Sequence, residues 1–384
     1  MTRQMRPNRL RVLHTLPSAA VSYGGPTYSA KAFADAGAAA GEDVTIAAPV
    51  FAHEGPLGLH ERDDSFTLRL FPGQGRGAFV ASRAMWMWLR REVRTFDVVH
   101  IHTLLNPVSA VTAWICRRAG VPYVVRPCGM LSRYSYEHRR RLLKRAYFTL
   151  VDRGVVTGAA AVQFTTDVEA NEARERVALD PSRVVVVPPP YVPNALRLPR
   201  APGTDAPVVF LARLNPVKGL ETLLAAWREV VARRPAARLV IAGDGEAAYV
   251  ESLRVLAEQL GIASRVEFAG FVSGARKAEL LAGAALVVLP SKHENFGVAV
   301  LEAIGAGVPV IVSPEVQLSS FVRRHALGVV VEREPAKLAA AIVQVIGDDA
   351  LQARCAVAGP AAVESSFSVD RIGRALEEMY LSFG

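Results

Sequence analysis

The sequence predicts an α/β chain made of two domains, each a parallel sheet with helices on both faces. Three observations lead there. Short β-branched runs alternate with helical patterns along all 384 residues. Several runs, such as 184–188 and 285–290, are apolar at every position, as strands buried on both faces must be. One proline-rich stretch without periodicity, PPPYVPNALRLPRAPGTDAP at 188–207, breaks the alternation and reads as a linker. The expected domains are 1–190 and 207–365, joined by 191–206. The last helical pattern, in 366–384, is open to packing on either domain, including a return to the first.

The remaining elements follow in order. In the first domain, strands are expected at 10–16, 44–49, 97–102, 122–127, 161–165 and 184–188. In the second they are expected at 207–213, 238–245, 266–271, 285–290, 308–313 and 328–331. Stretches such as LETLLAAWREVVARR (220–234) and AYVESLRVLAEQLG (248–261) have helical period and fill the gaps. In such sheets ligands bind beyond the carboxyl ends of strands, so the loops after strands carry the chemistry. Two such domains facing each other imply a cleft between them.

Composition narrows the class. The chain is 51% hydrophobic and 21% charged, which is globular. Residues 1–200 hold 27 Lys and Arg against 16 Asp and Glu, while residues 201–384 hold 18 against 20. The basic excess therefore belongs to the first half. It suits either an anionic partner or a solvated arginine-rich surface. Three cysteines without CxxC spacing (Cys116, Cys128 and Cys355) argue against a disulfide framework or a zinc site and fit a reducing cytoplasm. The basic N-terminus lacks the apolar length of a signal peptide, and no uncharged apolar run is long enough to span a membrane. Any membrane contact is expected to be peripheral, at the inner face.

Three loops after strands carry candidate residues. Gly24-Gly25-Pro26 follows the first strand and opens a helix, which allows close backbone approach to a ligand. Arg213 ends the strand 207–213, and Lys218-Gly219 lies five residues on, at the next helix. Two cations beside a helix N-terminus make an anion site. GDGEAA (243–248) matches a dinucleotide fingerprint, with Glu267 downstream. It is not on the first strand of its domain, however, and Glu267 opens the next strand rather than closing it.

The stretch SKHENFGVAVLEAIGAGVPVIVS (291–313) is the most telling. Apolar segments exclude carboxylates unless these are paired or bind something, yet Glu294 and Glu302 stand eight apart. A helix is expected to begin near Phe296–Gly297, its free N–H groups suited to phosphate. Eight helical residues span about 12 Å. The two carboxylates of a glycosidase stand about 5–9.5 Å apart. The pair therefore reads as two anchors for separate parts of a long ligand.

RLNPVKG, AGDGE, ENFGVAVLE with its E-x7-E spacing and the following A-x-G-x-P-V-I resemble, in order and spacing, the retaining GT-B glycosyltransferases of family GT4. The resemblance covers nearly the whole chain. It implies a GT-B fold of two Rossmann-like domains and a nucleotide-diphosphate sugar as donor substrate. It also implies transfer of a hexose with retention and no cofactor or metal, in agreement with the lack of a DxD motif. By resemblance Arg213 and Lys218 hold the donor diphosphate, and Glu294 binds the sugar hydroxyls. Asn295, Phe296, Gly297 and Val298 supply backbone contacts, and Glu302 binds the ribose. Gly24 and Gly25 let the first domain approach the diphosphate.

The acceptor, a saccharide or a lipid-linked one, is expected on the first domain near His102, Arg126 and Cys128. His102 ends its strand and reads equally well as a residue satisfied by backbone. Cys128 departs from the pattern, since relatives often carry His or Arg there. Arg139, Arg140, Arg141, Lys144 and Arg145 lie on an expected helix that suits an anionic membrane or, as readily, a solvated face. Two other functions are weighed: a sugar-nucleotide enzyme without transfer, such as an epimerase, and a polyanion binder. The second lacks any nucleic-acid signature, so no specific nucleic-acid partner is expected.

Overall fold

The structure, a computed structural model, describes residues 9–20, 23–51, 65–76, 79–137, 141–192, 198 and 206–383. The chain divides into two compact units, Met1–Pro190 with Phe367–Gly384, and Tyr191–Ser366. Most of the stretch expected as linker lies outside the described residues.

The strands of the first unit are β1 (Arg11–Thr15), β2 (Asp43–Val50), β3 (Thr67–Pro72), β4 (Gln74–Arg76), β5 (Phe79–Ala81), β6 (Val98–His102), β7 (Tyr123–Arg126), β8 (Ala161–Phe164) and β9 (Val184–Val186). Seven of them form a parallel sheet in the order β3-β2-β1-β6-β7-β8-β9, and β4 and β5 pair antiparallel. The order reverses between β1 and β6, which makes their carboxyl ends the switch point. Side chains alternate between faces, so Leu13, Val99 and Ile101 enter one core. Val12, Val98 and Val124 enter the other, with Phe33 of the helix Gly25–Ala39.

The C-terminal helix Val369–Leu381 closes this second face. Ile372, Leu376, Met379 and Tyr380 form its buried stripe. Gly373 lets it pack closely, because a Cβ there would lie 2.3 Å from Ala36 O.

The second unit holds β10 (Val208–Leu211), β11 (Leu239–Ala242), β12 (Val266–Gly270), β13 (Leu286–Leu289), β14 (Val310–Val312) and β15 (Gly328–Val330). All pair parallel, in the order β12-β11-β10-β13-β14-β15. The inner strands β10, β11, β13 and β14 are buried along their length, whereas the edges β12 and β15 are half-buried. The reversal here falls between β10 and β13. The helix Leu220–Arg233 follows β10 and buries Leu220, Leu223, Leu224, Trp227 and Val230, one face at helical spacing.

β3 was not among the expected strands. TLRLFP alternates exposed and half-buried positions at the sheet edge and lacks the all-apolar signature.

Candidate functional site

In the second unit, the loops after β10 and β13 come together at the switch point. Asn215 accepts from Val217 N at 3.1 Å and caps the short 3-10 turn Pro216–Lys218. Gly219 ends that turn with φ 74°, and a Cβ there would stand 2.1 Å from Pro290 O. Only glycine suits both demands. Lys292 N donates to Val217 O at 2.7 Å, which ties the loop after β13 to the turn.

The ammonium of Lys218 is thereby set against the Glu294 carboxylate in an ion pair, with side-chain exposures of 16% and 18%. Glu294 has its backbone pinned as well. Its N–H donates to Glu315 O at 3.2 Å, and its carbonyl accepts from Gln317 N at 3.2 Å.

Phe296 is buried, and Gly297, at φ 94°, caps the helix Val298–Gly305. Glu302 lies on that helix and pairs with Lys277 at 2.6 Å, both side chains 20% exposed. Lys277 belongs to the helix Gly274–Ala282. Each carboxylate of the E-x7-E stretch is thus matched to its own lysine. Arg213, just past β10, and Val298 are exposed, and Asn295 is half-buried. This arrangement offers two carboxylates to hydroxyls, and cations to an anion, at the carboxyl ends of parallel strands.

The glycines of GDGEAA serve packing. A Cβ at Gly243 would lie 1.9 Å from Ala212 O, and one at Gly245 would lie 2.3 Å from Leu214 O. Both lock the loop after β11 to the segment that carries Arg213. The exposed Glu267 lies within β12, in register with Val240.

In the first unit, Gly24 (φ 76°) caps the helix Gly25–Ala39, and among the described residues nothing lies within 4 Å of a Cβ built on Gly25. His102 and Arg126, in register on β6 and β7, are buried. Strand parity turns His102 onto the sheet face beneath Phe33, beside His14 and His100. Both its ring nitrogens are engaged, Nδ1 by Arg126 at 3.2 Å and Nε2 by His14 Nδ1 at 2.9 Å. His102, expected on the acceptor side, thus spends both ring nitrogens on partners within its own unit. Arg126 also donates to Ser29 Oγ and stacks over Phe33.

Nitrogens of His14, His100 and His102 lie within 4.8 Å of one another, which raises the question of a metal. The tautomers argue against one. A guanidinium only donates, so Nδ1 of His102 accepts and its Nε2 carries the hydrogen given to His14. Ligation through Nε2 would move that hydrogen to Nδ1, against the guanidinium. Burial drives His14 down to about 3, with Arg126 pushing the same way, and drives His100 and His102 well below the usual range, so all three are neutral.

The loops after β6 and β7 hold three non-glycine residues at positive φ: Thr103 at 75°, Leu105 at 57° and Cys128 at 54°. Two buried carboxylates hold these loops. Asp152 accepts from Leu105 N at 2.7 Å, and Glu169 accepts from Gly129 N at 2.7 Å and Thr165 N at 2.8 Å. Burial pushes the Cys128 thiol up, so it stays protonated. Sequence reasoning missed Asp152, Glu169 and the pairing of Lys277 with Glu302. Helical acids and lysines read as surface until the fold shows what they reach.

Of the basic run, Arg139 and Arg140 lie outside the described residues. Arg141 and Arg145 are exposed on the helix Arg141–Tyr147, while Lys144 is half-buried and donates to Ser135 O at 2.7 Å. Leu142, Leu143 and Leu150 are exposed by 73%, 50% and 83%. Among the described residues no helix is long and apolar enough to cross a membrane.

Residues 197–361 match the family model Glycosyl transferases group 1, and residues 24–190 match Glycosyl transferase 4-like domain. The chain is 30% identical over 317 residues to a D-inositol 3-phosphate glycosyltransferase of Nocardioides sp., a match covering 74% of this chain and 67% of that protein. It is also 30% identical over 249 residues to the Segniliparus rotundus enzyme of the same name. That match covers 62% of this chain and spans only 55% of the relative's own length. Among solved structures, Anabaena HepE in complex with UDP-glucose superposes with a TM-score of 0.77 at 20% identity, over 97% of this chain and 100% of that one.

Proposed function

This chain belongs to the group 1 glycosyltransferases, the GT4-type family with the GT-B fold, and from that premise we propose that it moves a hexose from a nucleotide-diphosphate sugar to a saccharide or lipid-linked acceptor. One observation carries the reading: at the switch point of the second sheet, Glu294 and Glu302 are each set against a lysine. Carboxylates accept from sugar and ribose hydroxyls, and Lys218 with Arg213 suits the diphosphate between them. Those cations would also stabilise the charge that develops on the departing nucleotide, an electrostatic lever that needs no metal. Asn295, Phe296, Gly297 and Val298 would offer backbone contacts at the start of the helix. In the first unit, Gly24 and Gly25 supply a second helix start suited to an anion.

The solved complex of HepE with UDP-glucose supports a nucleoside-diphosphate hexose as donor. Thr103 and Cys128, on loops held by Asp152 and Glu169, are the acceptor-side candidates the geometry favours, because strained loops gather at functional sites. Exposed Leu142, Leu143 and Leu150 beside Arg141 and Arg145 support peripheral contact with an anionic membrane at its cytoplasmic face. Vesicle sedimentation tests this, with salt-sensitive binding to anionic lipid expected and none contradicting it.

A thermal-shift screen of UDP-, GDP- and ADP-hexoses, followed by product analysis with and without acceptor, tests the function. Acceptor-dependent transfer of the stabilising donor is expected. Conversion of the donor to an epimer without any acceptor would instead support the non-transferring reading.

A further inference from the structure

Lys277 has no role in the assignments above, yet its ammonium donates to Glu302 Oε1 across 2.6 Å. The two residues come from different helices, Gly274–Ala282 and Val298–Gly305, and lie 25 positions apart. Each side chain keeps 20% of its surface, so the pair is largely but not wholly enclosed. We propose that Lys277 is a positioning residue that holds the Glu302 carboxylate ready for the two ribose hydroxyls of a nucleoside diphosphate. The proposal rests on the ribose role given to Glu302.

The carboxylate has about four acceptor directions on its two oxygens. Lys277 occupies one of them, on Oε1. What remains can still accept from two neighbouring hydroxyls. A glutamate without a partner must give up its rotamer freedom when the ligand arrives, whereas a glutamate held by lysine has already done so.

Charge gives a second reason. A diphosphate approaching Glu294 and Glu302 would meet two like charges. Lys218 and Lys277 offset them one for one. Lys277 differs from Lys218 in that it meets the ligand only through Glu302. Its loss should therefore be felt at the ribose, in binding more than in the rate of transfer.

The test is calorimetric binding of UDP, GDP and ADP, each beside its 2′,3′-dideoxy counterpart, to the wild-type chain and to Lys277→Met, Lys277→Gln, Lys277→Arg and Glu302→Ala. For the nucleotide that binds, the wild type should prefer the ribose form by about tenfold or more, and Glu302→Ala should bring the ratio near one. Lys277→Met and Lys277→Gln should cut the ratio at least threefold, and Lys277→Arg should keep most of it. A purely structural tie between two helices would weaken both nucleotides equally and leave the ratio unchanged. If the ratio persists in Lys277→Met and Lys277→Gln but collapses in Glu302→Ala, the positioning role is overturned and the ribose reading stands. If it persists in Glu302→Ala, or none of the three nucleotides binds, the ribose reading falls and the role of Lys277 falls with it.

Discussion

Lys218 and Glu294 form an ion pair that joins the turn after β10 to the loop after β13. The proposed function gives the two residues different halves of the same donor, diphosphate to Lys218 and sugar to Glu294. A nucleoside diphosphate lacking its sugar must compete with Glu294 for the lysine. Glu294→Gln should therefore bind the free nucleoside diphosphate several-fold more tightly than the wild type, as read by titration calorimetry. Unchanged or weaker binding would separate the carboxylate from the diphosphate site.

The pair depends on backbone that only glycine provides. In Gly219→Ala the new methyl would meet Pro290 O at 2.1 Å while φ stays at 74°. A loss of at least about 2 kcal/mol is expected, with Lys218 displaced. Urea unfolding gives the stability, and nucleoside-diphosphate affinity should fall with it.

Among the described residues neither carboxylate oxygen of the buried Glu42 has a hydrogen-bond partner, and burial, reinforced by Glu377, pushes it up from 4.5 to about 8. The folded chain therefore keeps a proton that the unfolded chain releases above about 4.5. Stability is full below that pH and declines as pH rises toward 8, by up to about 1.4 kcal/mol per unit. Glu42→Gln should abolish this slope. Its gain in Tm over the wild type should be small at pH 4.5 and largest near pH 8.

The buried histidines give a slope of opposite sign. His14 is depressed from 6.5 to about 3, so below pH 6.5 the unfolded chain takes up a proton that the folded chain refuses. Stability falls with pH through that window, by about 1.4 kcal/mol per unit for each such histidine. His14→Asn should lessen the acid slope by one histidine's share, measured by denaturant unfolding between pH 6.5 and 4.

The alternation of apolar runs and helical stretches was legible because strands buried on both faces admit few polar residues. β3 was not, since an edge strand with one half-buried face looks like a loop. Glu294 and Glu302 stood out as carboxylates in apolar surroundings, but their lysines did not: Lys277 is 25 residues from its partner and Lys218 is 76 from its own. His102 was visible at a strand end. Which way it pointed depended on strand parity against β1 and β7, which puts it beside His14 and Arg126. The glycines of GDGEAA looked like a ligand loop because close backbone approach demands glycine whether the neighbour is a phosphate or, as here, the carbonyls of Ala212 and Leu214.

The central claim is that Lys218 and Glu294 carry donor use. The most direct measurement is donor turnover by Lys218→Ala and Glu294→Ala beside the wild type, with circular dichroism melts as a check on folding. Loss of at least about a hundredfold in both, with the fold intact, is the result expected when a transition-state cation or a sugar anchor is removed. Wild-type turnover in either variant would contradict the account.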